Sequence, residues 1–243
     1  LDAFTDFPYN RTNLFVFVCV YIGAGWTIKM QYGILGIMML AIVSFMLGAA
    51  FDFDHGILRD NLAPQWSGGH TFFPTFAIFF PAVTGLMAGL NMSGDLRDPS
   101  RSLPRGILSA IVFSGLLYVV IAFLLAGSVP RAELVGSGFV FKNKALSPAL
   151  VYAGVFCATL SSALGSMMGA PRILQAFARD DIFKPLRFLG RGSGPSGDPR
   201  RAILLTFLIA QAGILAGDLD SVAPIITMFF LMTYGTVNLA CFY

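Results

Sequence analysis

The residues whose types and spacing could do chemistry lie in one segment, TFFPTFAIFFPAVTGLMAGLNMSG, residues 71–94. It is apolar enough for a bilayer, yet it carries Pro74, Pro81, Gly85, Gly89 and Gly94. Proline removes a backbone donor and clashes with the preceding turn, and glycine costs about 1 kcal/mol relative to alanine in a helix. Their clustering from Pro81 to Gly89 predicts a helix that stops and restarts in mid-membrane. Such backbone is tolerated only where protein buries it or where it lines a cavity. Freed carbonyls at the break, with the Thr84 hydroxyl beside them, suit a hard cation, which prefers oxygen ligands. The amino end of the second half-helix suits an anion. Small residues of this kind also serve close packing between helices.

Other chemistry has little to work with. Cys19, Cys157 and Cys241 lie in apolar runs without metal-ligand spacing, and the two histidines, His55 and His70, share one loop. No transition-metal site and no cofactor are expected. Neither a nucleophile–base–orienter set nor a phosphate loop can be found, so the chain does not read as an enzyme. A net charge of +3 is too small to point to nucleic acid.

The elements that must position the broken segment are membrane helices. Apolar residues make up 56% of the 243 and charged ones only 12%, against about 25% charged in soluble domains. The apolar residues fall in blocks of roughly 17 to 23, long enough to span a hydrocarbon core of about 30 Å. Segments of that kind satisfy their own backbone only as helices. Spans are predicted at residues 12–28, 32–51, 71–94, 106–128, 147–170, 201–216 and 222–243. A short turn around Lys29 is expected to make the first two antiparallel neighbours. The connections 52–70 and 129–146 are long enough for short helices. The run RILQAFARDD is expected to continue its helix before the turn GRGSGPSGDP. Both ends read as cut from a longer chain.

Lysine and arginine set the orientation. Eleven fall on one side: Lys29, the arginines of 97–105, and the basic residues of 172–201. Five fall on the other, Arg11, Arg59, Arg131, Lys142 and Lys144. The eleven-residue side is predicted to be cytoplasmic, in an integral, multi-pass membrane protein. Asn10-Arg11-Thr12 fits a glycosylation acceptor on the outer side. Gln211 and Asn238, polar in apolar spans, are expected to form interhelical hydrogen bonds.

Three stretches carry a family resemblance. FFPAVTGLMAGLNMSGDLRDPSRSLPRG resembles the sixth helix and following loop of cation–chloride cotransporters, CATLSSALGSMMGAPRILQAFARDDIF the eighth helix, and DSVAPIITMFFLMTYGTVNLACF the tenth. They occur in order, and the match covers essentially the whole chain. The resemblance implies an all-α membrane protein: a partial inverted-repeat, LeuT-like bundle of about seven transmembrane helices, one of them broken. It makes residues 1–243 a single transporter domain, truncated at both ends and lacking the first three helices. Such a piece is expected to leave an incomplete bundle with an exposed apolar cleft.

The resemblance also assigns residues. It places potassium at Pro81 and Thr84, and chloride at the amides of Gly85, Leu86 and Met87 with the hydroxyl of Tyr234. Sodium-dependent members resemble ATLSS in the eighth helix, which here supplies Ala158, Ser161 and Ser162 as sodium ligands. Read without the family, the serines sit in a run of small residues suited to helix packing, and Tyr234 is an ordinary packing residue. Potassium use stays open, because the family's third-helix tyrosine and first-helix ligands are not in this chain. Asp95, Arg97, Asp98 and Arg101 alternate in sign, as in a solvated loop or an inner gate. Asn91 receives no ligand role.

The expected function is symport of chloride with sodium, with potassium as a further transported ion if its site is complete. An amino-acid permease of the same fold and a non-transporting regulatory relative are the alternatives. The expected partners are the lipid bilayer and inorganic ions, with a homodimer formed through regions outside this chain.

Overall fold

A computed structural model describes residues 8–63, 71–79, 85–136, 139–181, 183–194, 197–216 and 219–242. Among them the only extended pairing is the single bridge between Ser193 and Asp198. Everything else regular is helix.

The chain opens with α1 (Pro8–Ile22) and, after one residue, α2 (Ala24–Phe51). Gly23 separates the two helices at φ 145°, a conformation that L side chains rarely adopt. Thr27, wholly buried, turns its hydroxyl back onto the carbonyls of Cys19 (2.9 Å) and Gly23 (3.2 Å), which gives the Cys19 carbonyl in the last turn of α1 a partner. The turn predicted around Lys29 is therefore misplaced. Lys29 lies within α2, and the chain breaks where glycine permits the backbone angle rather than where a charge interrupts the hydropathy.

On the predicted outer side follows α3 (His55–Leu62), capped by Asp54, which accepts from the amides of Gly56 (2.6 Å) and Ile57 (3.3 Å). The broken span appears as two short helices, α4 (Phe72–Phe79) and α5 (Leu86–Asn91), followed by a 3-10 turn at Ser93–Asp95. Then come α6 (Pro99–Ser128), the short α7 (Arg131–Gly136) and α8 (Val140–Lys144), and α9 (Pro148–Arg179). As expected, α9 runs on through RILQAFAR, with Pro171 inside it. A 3-10 helix at Lys184–Gly190, α10 (Arg200–Ala216) and α11 (Leu219–Phe242) complete the order.

The hub is α9, which packs along α2 and meets α1, α5, α10 and the 3-10 helix Lys184–Gly190. Its core joins Val16 and Cys19 of α1, Ile34 of α2, Leu164 and Met167 of α9, and Ile203 of α10. Polar contacts tie α1 to α10. Asn13 donates its amide to Gln211 (3.0 Å), and Gln211 donates to Asn10 (2.6 Å). Gln211 is thus the interhelical partner expected of it. Asn238 is not: it donates to the Tyr234 carbonyl of its own helix at 2.8 Å. The Asn10 side chain, read as a glycosylation acceptor, is engaged here by Gln211.

Among the described residues, four helices are long and apolar enough to cross a membrane: Gly25–Phe51, Pro99–Ser128, Pro148–Arg179 and Ile225–Phe242. Of the other predicted spans, α1 and α10 are 15 and 17 residues long, and one is the broken pair. None of the apolar stretch of α6 is buried, and Val112 stands 70% exposed. A helix face so apolar and so open is matched to lipid rather than water.

A latch holds α3. One terminal nitrogen of Arg131 donates to the carbonyls of Asp60, Asn61 and Ala63, and Asn61 donates to those of Ala126 and Val129. These bonds satisfy the carboxyl end of α3 and fasten it to the end of α6. Hydrogen bonds from a charged donor contribute about 1.5–3 kcal/mol. Arg131→Met is therefore expected to speed amide exchange across residues 55–63 by about tenfold or more, leaving α2 and α9 unchanged. Wild-type exchange in that segment, read by mass spectrometry, would remove the latch.

Candidate functional site

The restart of the broken helix is set by Gly85, which caps α5 in the left-handed region at φ 109°. Only glycine adopts that angle without steric cost. Its N–H donates to the hydroxyl of Tyr234 at 3.3 Å, across 149 residues of sequence. The tyrosine sits midway along α11, half-buried, its ring stacked on Phe230 one turn earlier (centroids 6.1 Å apart). Leu86 and Met87 form the first turn of α5, where amides lack carbonyl partners within the helix. The first internal bond there is from Ala88 N–H to the Gly85 carbonyl, 3.0 Å.

This arrangement presents neutral donors to one point. The phenolic oxygen accepts from Gly85, so its own proton is not spent on that bond. An anion that entered between the two groups would receive the amide N–H and the phenolic O–H together, without a full positive charge close by. Of the expected chloride residues, the structure brings Gly85 and Tyr234 into contact and sets Leu86 and Met87 beside them on α5. Pro81 and Thr84, the expected potassium residues, lie outside the described residues.

The expected sodium residues fall on one face of α9. Ala158, Ser161 and Ser162 are related by three and four positions, the spacing that brings helical side chains together. Ala158 lines an apolar cavity of about 360 Å³ with Ala41, Phe45 and Val155. Ser161 is half-buried and Ser162 exposed. Among the described residues, neither serine hydroxyl makes a hydrogen bond. The contrast is Thr159, whose hydroxyl folds back onto the carbonyls of Val155 (3.2 Å) and Phe156 (2.9 Å), the usual fate of a hydroxyl inside a helix. The two serines keep their oxygens available. This face and the Gly85–Tyr234 pair are separate constellations, linked through the packing of α5 on α9.

In the loop before α6, Asp98 meets Arg101 at 3.8 Å and accepts from Ser100 at 2.7 Å, with the ion pair open to solvent on both sides. Arg97 is exposed, and Asp95 ends the 3-10 turn. The contacts described are those of a solvated helix start, since Asp98 is the residue that precedes α6. Asn91 has more to do than its sequence context signals. With Ser93, Arg172, Gln175 and Arg179 it lines a polar cavity of about 460 Å³ between α5 and α9. The available signal is the spacing of Arg172, Gln175 and Arg179 along one stripe of α9. Among the described residues, no group of three or more His, Cys, Asp or Glu side chains could hold a metal ion.

Comparison with known proteins adds four facts. The family model for amino acid permease matches residues 12–243. The chain is 40% identical over 230 residues to solute carrier family 12 member 8 of Mus musculus, covering 90% of this chain and 32% of that protein. It is 35% identical over 270 residues to solute carrier family 12 member 1 of Homo sapiens, covering 91% of this chain and 25% of that one. Member 2 of the same family from Danio rerio is 34% identical over 273 residues, covering 91% and 24%. The chain thus spans 24–32% of the length of these relatives.

Proposed function

Because this chain belongs to the amino acid permease family, whose members share the LeuT-like fold, we propose that it is the central part of a secondary symporter that moves chloride with sodium. It is an integral, multi-pass membrane protein, and its relatives are carriers. The observation that supports chloride best is the Gly85 N–H meeting the Tyr234 hydroxyl at the restart of the broken helix. Neutral donors from two helices hold a small anion strongly enough to select it and weakly enough to release it. The identities to solute carrier family 12, together with the motifs that resemble cation–chloride cotransporters, support the same reading.

Sodium is assigned to Ala158, Ser161 and Ser162, on the support of two hydroxyls not committed to their own helix. Potassium is assigned to the Pro81–Thr84 segment, completed by parts of the carrier beyond this chain. We read no catalytic step and no cofactor into the protein. Transport moves inorganic ions through the bilayer, and the Asp95–Arg101 loop lies at the inner end of that path.

A second reading has one specific observation in its favour, the match to amino acid permease over residues 12–243. The amides at the start of α5 would then receive a substrate carboxylate in place of chloride.

The test is uptake into proteoliposomes by the full-length carrier, with chloride, sodium and potassium varied independently. Chloride- and sodium-dependent uptake is expected, and potassium dependence fixes the stoichiometric class. The Ser161→Ala/Ser162→Ala variant is expected to need about five- to thirtyfold more sodium, as fits the loss of two polar ligand contacts of about 0.5–1 kcal/mol each. Uptake indifferent to chloride but driven by amino acids would replace the first reading with the second.

A further inference from the structure

The inner end of α9 carries a cluster for which ion translocation has no use. Between residues 179 and 201 the sequence places six cations and three carboxylates. The fold gathers three of the cations, Arg179, Arg187 and Arg191, around one cavity of about 430 Å³ with Ala178, Phe188 and Gly190.

This is a built surface and not a loose run of charge. The 3-10 helix Lys184–Gly190 packs along α9 and is anchored by Leu189, which is 1% exposed. Arg179 donates through Nε to the Gly190 carbonyl at 3.0 Å. Arg187 Nε meets the Asp181 carboxylate at 3.4 Å. From α10, Arg201 donates to the Phe188 carbonyl at 3.1 Å. A guanidinium carries five N–H donors in a rigid fork, so one tie orients it and leaves most of its donors for another partner. The carboxylates offset the cluster only in part. Asp181 is the residue that orients Arg187, Asp180 is exposed, and Asp198 lines the neighbouring polar cavity instead.

Phe188, which lines the cavity with these cations, is 53% exposed, and Phe183, the residue that precedes the 3-10 helix, is 54% exposed. Exposed phenyl rings next to guanidinium groups, at the inner end of a membrane-crossing helix, match the boundary between headgroups and acyl chains. A free phosphate would satisfy the arginines and leave the rings in water. A lipid satisfies both, and basic clusters just cytoplasmic of a membrane helix attract anionic lipid.

We propose that this cavity binds the headgroup of an anionic phospholipid bearing a phosphomonoester, held by Arg179, Arg187 and Arg191, with its acyl chains against Phe183 and Phe188. The arginine forks match phosphate oxygens in pairs. The site does not depend on which ion the carrier moves.

The experiment places the full-length carrier in phosphatidylcholine nanodiscs doped with phosphatidylinositol bisphosphate and counts retained lipid by native mass spectrometry. Arg187→Gln/Arg191→Gln is expected to weaken retention by about tenfold or more, since each cation near the surface contributes roughly 1 kcal/mol. Lys142→Gln, on the opposite face, is expected to leave it unchanged. Both arginines are solvent-facing, so the variant should keep the wild-type melting profile, and Arg191→Gln alone gives a second reading of the same site. Equal retention by wild type and the arginine variants would overturn the site. Full displacement by soluble inositol trisphosphate would overturn the lipid as its occupant.

Discussion

Tyr234→Phe should raise the chloride concentration needed for half-maximal uptake by about ten- to hundredfold, with the helices intact. The phenol is one of two groups that the fold brings together at the restart of the broken helix. A hydrogen bond to a charged partner contributes about 1.5–3 kcal/mol, and each 1.4 kcal/mol is about tenfold in affinity. Phenylalanine keeps the ring, and with it the stacking on Phe230 that fixes the side chain on α11. Only the donor is lost. The measurement is the chloride dependence of uptake by the full-length carrier in proteoliposomes. A half-saturation within a factor of two of wild type would place the anion away from Tyr234, whatever else Gly85 contacts.

Gly48→Ala should destabilise the protein by about 1–3 kcal/mol, the usual cost of forcing a methyl into a packed contact. Gly48 lies on α2 where the backbone after α8 crosses it. A Cβ there would run into the Lys144 carbonyl, with Leu146 N at 2.9 Å and Ala145 C at 3.0 Å. These are main-chain atoms and cannot rotate away. The same crossing is held by Leu146 N–H to the Ser44 carbonyl (3.1 Å), Ser147 N–H to the Ser44 hydroxyl (3.0 Å), and Lys144 to Asp52 (3.0 Å). Pushing the strands of chain apart strains all three. Gly33→Ala is the matched control, because nothing lies within 4 Å of its added carbon, and alanine favours a helix by about 1 kcal/mol over glycine. Thermal unfolding in detergent should separate the two variants in opposite directions. Coincident melting curves would mean that the α2 crossing is looser than its distances imply.

Much of this architecture can be read from residue types, because a bilayer leaves few options. Pro81 to Gly89 marks the interrupted helix, and the structure starts α5 at Leu86 behind a left-handed Gly85. The predicted spans share one end of α6 and of α9 to within a residue, at Ser128 and Pro148, while the two helices run on by seven and nine residues at the other. What hydropathy misplaces is the joint between α1 and α2. A lysine looks like a loop, whereas a long side chain can reach toward the interface from within a helix. The true break needed the backbone angle of Gly23, which composition does not encode. Motif resemblance carried Tyr234 to Gly85, since no local pattern relates residues 149 positions apart. The arginine cavity escaped notice for the opposite reason: its residues are near in sequence, and a basic loop is the ordinary mark of a cytoplasmic side.

The amide contacts between α1 and α10 bear on how the protein is made. Asn13 and Gln211 are 198 residues apart, Asn10 and Gln211 201. At about 5–20 residues per second of synthesis, α1 waits on the order of 10–40 s after leaving the ribosome before its partner exists. Throughout that interval two asparagines near its amino end must be solvated by something other than Gln211, whether interfacial water, the insertion machinery or a membrane chaperone. Assembly of this bundle is therefore gated by translation of its second half, and slowing the ribosome between α1 and α10 lengthens the period in which the nascent chain is open to quality control.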